Sequence, residues 1–335
     1  MSVRGDCMRR LLLLMLVLMA VTTADAKVTV EKISYRGWDD SYRLTAGDYS
    51  VVVVPEIGGR IMEYSLEGRN VLWENSAEFG MTYPITKEWH NFGGYKTWVS
   101  PEEYWGWPPD FMLDCGKANI EVLQNPKGLP VLRVIGAPSL NAGLFFSKEI
   151  TLSESGEVQI KQRMHNISAK QVQYGIWDVT QVKTPCLVVF PMNPSSRFPD
   201  GLHYKIAESK NSTQFNFKDG YCITTYKGEP GDISSDSNGP WMIWFQDDLA
   251  FVKLFGPMER DAEYPDGGCS CEVFTSDSKL GYMEMEVLGP MVKMPPGGQT
   301  EMEGRWKIIK LSQPVTNEDR VIKAIKGMQG KKWIP

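Results

Sequence analysis

Histidine is scarce in this chain. Its 335 residues include only His90, His165 and His203, and no two of them form the paired spacing of a zinc protease helix. The sequence also lacks a glycine-rich phosphate loop and a nucleophile elbow, which removes the commonest nucleotide-binding and serine-hydrolase signatures. Cysteine excludes little more: of six, five lie beyond residue 26 (Cys115, Cys186, Cys222, Cys269 and Cys271). An odd, scattered set is not a disulfide framework. Cys269-Ser-Cys271 is too tight for the usual zinc pair, and no second pair follows. Clustered positive charge is missing too, with 36 basic against 41 acidic residues, so a nucleic-acid partner has no electrostatic footprint. After the N-terminal region no segment is apolar enough for a membrane span. Polysaccharides and other small polar ligands remain open.

The N-terminus has the pattern of a secretory signal. Arg4, Arg9 and Arg10 precede an uncharged apolar run from Leu11 to Val21, and Ala24-Asp25-Ala26 supplies a small-residue cleavage site. Cys7 lies before the apolar run, so it cannot carry the lipid of a lipoprotein. The expectation is export to the periplasm or beyond, with a mature chain starting at Lys27. Losing three arginines and two aspartates takes the net charge from −5 to −6.

Beyond residue 26 the signals are those of strands. Runs at 51–54, 60–66, 70–73, 131–135, 144–152, 157–166, 171–182, 186–190, 241–245, 250–255, 282–288 and 302–311 are separated by Gly, Pro, Asn and Ser clusters. Only 317–328 has a helical period, with Val321, Ile322 and Ile325 on one face. The pattern predicts an all-β sandwich over 27–312 and a short helical tail over 313–335. Two stretches, 84–114 and 193–240, read as long irregular connections, which in a compact domain are usually functional or disordered.

The first of these carries Trp89, Trp98, Trp105 and Trp107 within 19 positions, around His90-Asn91-Phe92-Gly93-Gly94-Tyr95-Lys96. Sugar rings present an apolar C–H face that stacks on indole, and their hydroxyls need charged or amide partners. Asn91, Lys96 and Asp110 could provide them. The sequence leaves the plainer reading open, in which the tryptophans fill a core beneath a loop.

In chain order, Ile57-Gly58-Gly59-Arg60-Ile61, the Gly93-Gly94 segment, Met164-His165-Asn166, Glu284-Met285-Glu286-Val287-Leu288-Gly289-Pro290 and a strand holding Trp306 resemble the galactose-mutarotase-like superfamily. More closely, they resemble an exported bacterial family of that fold with uncharacterised function. The resemblance covers about residues 30 to 311. It implies a β supersandwich with a sugar pocket on the concave face of one large sheet. It also implies a glutamate base at Glu286 and a sugar-gripping arginine at Arg60.

The superfamily's mutarotases take the anomeric proton with a base and protonate the ring oxygen with an acid. Their histidines have no counterparts here. One position reads Asn91-Phe92, with His90 displaced, and the other falls within Ile176-Trp177-Asp178-Val179-Thr180-Gln181. The expected site therefore combines Glu286 and Asp178 as catalytic carboxylates. Arg60, Asn91, Lys96, Trp98, Trp105, Trp107, Asp110, Gln181 and Lys183 are the expected sugar contacts. A carboxylate pair could instead cleave a glycosidic bond, and a purely recognising module is the alternative. Weak or no mutarotation of simple hexoses is expected, without cofactor or metal. Asp232 to Gly239 lacks the closing glutamate of a calcium loop.

Overall fold

The computed structural model describes residues 27–82 and 88–335; residues 1–26, where the sequence leads one to expect a signal, lie outside them. Two antiparallel sheets stack face to face. The first follows the order Thr29–Tyr35, Trp38–Ala46, Tyr49–Val54, Arg60–Leu66, Tyr95–Ser100, Val172–Lys183, Tyr282–Leu288, Cys271–Thr275, Gly231–Ser235, His203–Tyr204. The second runs Phe215–Lys218, Tyr221–Thr225, Leu187–Pro191, Trp241–Gln246, Leu249–Phe255, Gln299–Lys310, Val158–Asn166, Leu144–Leu152, Pro130–Ile135, Asn119–Gln124. This is an all-β sandwich, and the only helix longer than five residues among those described is Glu318–Gly330.

Alternation of residue type builds the space between the sheets. In Leu144–Leu152 every second residue is buried and the rest are partly exposed, because successive side chains of a strand point to opposite faces. Inward residues of both sheets, among them Val51, Val53, Ile61, Ile150, Val158, Phe251 and Trp306, make one apolar core. Tyr64 reaches across it: its hydroxyl donates to the Gly156 carbonyl at 2.7 Å and accepts from the Ile308 amide at 3.1 Å.

The outer face of the second sheet has two characters. Over 119–166 it is a lattice of exposed ion pairs, such as Arg133 with Glu149 and Arg163 with Glu301. Over Leu187–Pro191 and Trp241–Phe255 it is apolar, and the C-terminal helix covers it with Val321, Ile322, Ile325 and Met328. Asn317 caps that helix by accepting from the Arg320 amide at 3.0 Å, the ordinary task of an N-cap asparagine.

The two expected connections turn out to hold structure. The stretch 84–114 contains the central strand Tyr95–Ser100 and the short helix Phe111–Cys115. The stretch 193–240 contains four strands. Tyr95–Ser100 is buried along its whole length, so both faces demand low exposure and the alternation that betrays a half-buried strand never appears. Asn70–Trp73 departs in the other direction: only Arg69–Asn70 pairs as a strand, and Leu72 makes an isolated bridge to Val182.

Candidate functional site

The outer face of the first sheet's centre carries a dense set of polar and aromatic side chains. Register alone shows how they line up. Lys96 is opposite Val179, Val179 opposite Glu286, Glu286 opposite Glu272, Glu272 opposite Ser234, and Ser234 opposite His203. Facing residues share a face of the sheet, so this is one transverse row across six strands. A parallel row places Gln181 opposite Glu284, then Phe274, then Asp232. A third puts Trp98 opposite Trp177 and Trp177 opposite Leu288.

The carboxylates are crowded and dry. Glu286 is 2% exposed, and one of its oxygens accepts from the Trp177 indole at 2.5 Å. Glu272 lies directly across the strand gap, where facing Cβ atoms are about 5 Å apart and like charges repel. Burial first, then the negative charges around them, push the carboxyls of both Glu286 and Glu272 well above the usual carboxylate range. Half-buried Asp232 is pushed up to about 6 by the same loss of solvent. Lys205 relieves part of this strain: its ammonium donates to both Glu272 oxygens at 3.1 Å and lies 3.6 Å from Asp266. Burial works against its charge, yet Glu272, Asp232 and Asp266 hold Lys205 above the ordinary lysine value. Among the described residues no group of three or more His, Cys, Asp or Glu is arranged to hold a metal ion.

Lys96 is a second cation on this face, and its situation differs. Its ammonium sits 3.6 Å from the Trp98 ring centroid, 5.0 Å from that of Trp89 and 3.7 Å from a Glu284 oxygen. No hydrogen bond reaches it among the described residues. Burial lowers its pKa to about 8, even though Glu284 favours the charge. Glu284 meanwhile accepts from the Gln181 amide at 2.8 Å, and the Gln181 side-chain oxygen has no partner among the described residues. Two tryptophans lie above Lys96. Trp89 packs edge-on against Trp98 and Trp107, and Trp107 is 58% exposed, the outermost of the set.

Arg60, on the neighbouring strand, shares the outward parity of Lys96 but is sealed from solvent. It is fully buried and donates to Asp114 at 2.6 Å, and Asp114 also accepts the Trp98 indole at 2.7 Å. The pair thereby fixes the Trp98 ring that Lys96 rests on. Two backbone approaches force glycine nearby. Gly58 (φ 80°) would place a Cβ 2.4 Å from the Asp114 carbonyl oxygen, and Gly94 (φ 71°) would place one 2.5 Å from that of Ile61.

The structure separates some residues that the sequence grouped. Asp178 and Glu286 do not face one cavity. Adjacent residues on a strand alternate, so with Val179 outward, Asp178 and Thr180 point between the sheets. There Asp178 is ion-paired with Lys253 and accepts from the Gln162 amide at 3.0 Å. Asp110 also stands apart. It caps the helix Phe111–Cys115 through the Met112 amide at 2.9 Å and accepts from the Ser139 hydroxyl at 2.6 Å. Trp105 donates its indole to the Val99 carbonyl and lines a neighbouring cleft of about 350 Å³ with Asp110 and Tyr174. Lys183 is opposite Tyr282 at the far end of its strand, where its charged neighbours are Glu74, Arg36 and Glu63. Asn91 is buried beside the Gly93–Gly94 turn and accepts from the Gly93 amide. Asp232–Ser235 belongs to a strand, not a calcium loop.

Sequence reasoning missed Trp177, Glu272, Asp232 and Lys205. Only a period-two reading of strands already paired with Tyr282–Leu288 would have found Trp177 and Glu272; Asp232 needs one pairing more, and Lys205 has no local signal at all.

Comparison with known proteins places this arrangement in a known fold. A solved galactose mutarotase-like protein from Clostridium acetobutylicum matches with a TM-score of 0.57 at 10% identity, covering 85% of this chain and 99% of that one. Another galactose mutarotase-like protein, from Lactobacillus casei, matches at 0.53 with 7% identity, covering 80% and 99%. At these identities the likeness is one of fold, and the chain has the galactose-mutarotase-like sandwich. No curated protein sequence matches it. The family described as Domain of unknown function (DUF4380) matches residues 40–309, from the second strand through to the last. With four-fifths of its length accounted for in that way, the chain belongs to the DUF4380 family.

Proposed function

We propose that the outer face of the first sheet binds a neutral reducing sugar and opens its ring at the anomeric carbon, with Glu286 as the base. The observation that carries this reading is the transverse row. A buried carboxyl with a raised pKa and a buried lysine with a lowered one flank the small side chain of Val179. Environments that bring an acid and a base toward neutrality from opposite sides mark general acid–base sites. Trp98 and Trp177 supply rings for the sugar's C–H face. Gln181 and Glu284 supply acceptors and donors for hydroxyls. Carboxylates outnumber lysines on this face, so uronates and sugar phosphates should be disfavoured by repulsion. The Ala24-Asp25-Ala26 site supports an exported protein that meets its sugar outside the cytoplasm.

The test is polarimetry on freshly dissolved α-anomers of glucose, galactose, xylose and lactose. Purified protein should speed equilibration of at least one, and Glu286→Gln should remove the acceleration. A protein whose tryptophan fluorescence responds to sugars but which speeds none of them would be a recognition module instead.

A further inference from the structure

Ring opening needs a proton for the ring oxygen, and the face lacks histidine at the places where the resemblance would put one. Lys96 meets the geometric need. It is 2% exposed, it has no hydrogen-bond partner among the described residues, and it lies on the same face and row as Glu286. A buried ammonium with unfilled hydrogen-bonding capacity carries a cost that a structural role would not retain. The cost disappears when a ligand oxygen accepts from it. The strands of Lys96 and Glu286 flank one intervening strand, so their backbones are about 10 Å apart, two inter-strand spacings. Val179 between them is short and is buried beside the Trp98 and Trp177 rings. A pyranose ring admitted between the lysine and the glutamate would turn its anomeric hydroxyl toward one side and its ring oxygen toward the other.

We propose that Lys96 is the catalytic acid: it donates a proton to the ring oxygen as Glu286 takes the proton of the anomeric hydroxyl. The C1–O5 bond breaks, its electron pair goes to O5, and C1 becomes the aldehyde carbon. After rotation about C1–C2 the aldehyde recloses. O5 returns its proton to Lys96, and Glu286 returns one to the new anomeric oxygen. No oxidant, reductant or metal enters the balance. The proposal rests on the ring-opening reading above. The charged groups that face the ammonium are Glu284 and Glu286 from one flank, Arg60 from the other and Asp114 from the helix behind Trp98.

Two variants test it: Lys96→Met, which keeps the length of the side chain, and Lys96→His, which restores a titratable donor. With a sugar that the wild type turns over, Lys96→Met should lower kcat about 100-fold or more, the range for losing a general acid. Sugar affinity by tryptophan fluorescence should change only a few-fold. Wild-type kcat should fall as pH rises past about 8, where burial places the lysine. Lys96→His should regain part of the rate with its fall moved toward pH 6.5, the ordinary imidazole value. If Lys96→Met keeps kcat and loses only affinity, the lysine binds and does not donate, and the proposal fails alone. It also fails alone if the alkaline fall survives in Lys96→Met. A wild type that binds sugars and turns none over defeats the ring-opening reading, and this proposal with it.

Discussion

The two faces of the strand Val172–Lys183 hold buried charge in opposite ways. Inward, Lys253 is ion-paired with Asp178 and also donates to the Thr180 hydroxyl at 2.8 Å and the Met285 carbonyl at 2.9 Å. Asp178 is braced further by Gln162, which in turn accepts from Thr97. All three protons of that ammonium have acceptors. Outward, Lys96 has none among the described residues, and the Glu284 carboxylate is 3.7 Å away. Burial alone therefore does not distinguish a structural charge from a working one. Satisfaction does: a completed network stabilises one arrangement, whereas an incomplete one is stabilised by whatever completes it.

The sharpest way to break the comparison is to cut the inner pair. Asp178→Ala leaves Lys253 buried without its carboxylate and should cost about 3–5 kcal/mol, the usual penalty for orphaning a buried charge. Urea unfolding would report it, and Lys96→Met in the same assay should not destabilise the fold, since no hydrogen bond is lost and the cost of burying that ammonium is relieved. Equal losses would erase the distinction between the faces.

A subtler contrast concerns pH. Lys148 points inward near Tyr95, 4% exposed, and burial lowers its pKa to about 7. An unfolded chain would hold that proton up to about 10.5, so between the two values the unfolded state binds more protons. Stability should then rise with pH across that window. One lysine contributes at most about 1.4 kcal/mol per pH unit. Denaturation at pH 7, 8, 9 and 10 should show the rise, and Lys148→Met should lower its slope, most clearly between pH 7 and 8, below the window in which Lys96 also contributes. An unchanged slope would mean that Lys148 keeps its charge in the folded protein.

The smallest stability effect should come from Trp107→Ala. The ring is mostly exposed and touches Trp89 and Trp98 only by their edges. Unfolding free energy should move by less than about 0.5 kcal/mol, as for most surface changes. Sugar affinity should weaken by about 1 kcal/mol if the ring stacks on the ligand. Isothermal titration of both proteins with the preferred sugar separates the two.

Much of the fold was legible from apolar runs bounded by turn residues, whether half-buried like Leu144–Leu152 or buried throughout like Tyr282–Leu288. Arg60–Leu66, Leu144–Leu152 and Tyr282–Leu288 fall at the residues that the sequence marks, and the helix begins one residue past the start of the helical period at 317. The site was harder. Glu286, Lys96, Trp98 and Gln181 do come together on one face, but Asp178 was grouped with them because chain neighbours look alike until strand parity is known. Lys205 and Glu272 meet across elements far apart in the chain, and no local pattern encodes such a meeting.

One feature of the second sheet bears on how the protein comes to exist. Its last strand, Gln299–Lys310, lies in the middle, pairing with Leu249–Phe255 on one side and Val158–Asn166 on the other. Without it, the block over 119–166 and the block over 187–255 share no pairing within that sheet. Everything up to residue 298 is therefore synthesised before the two halves can be joined. Pairings this distant in sequence form slowly. Until that strand arrives, Val158–Asn166 and Leu249–Phe255 both wait as open edges, the kind of surface to which chaperones attend.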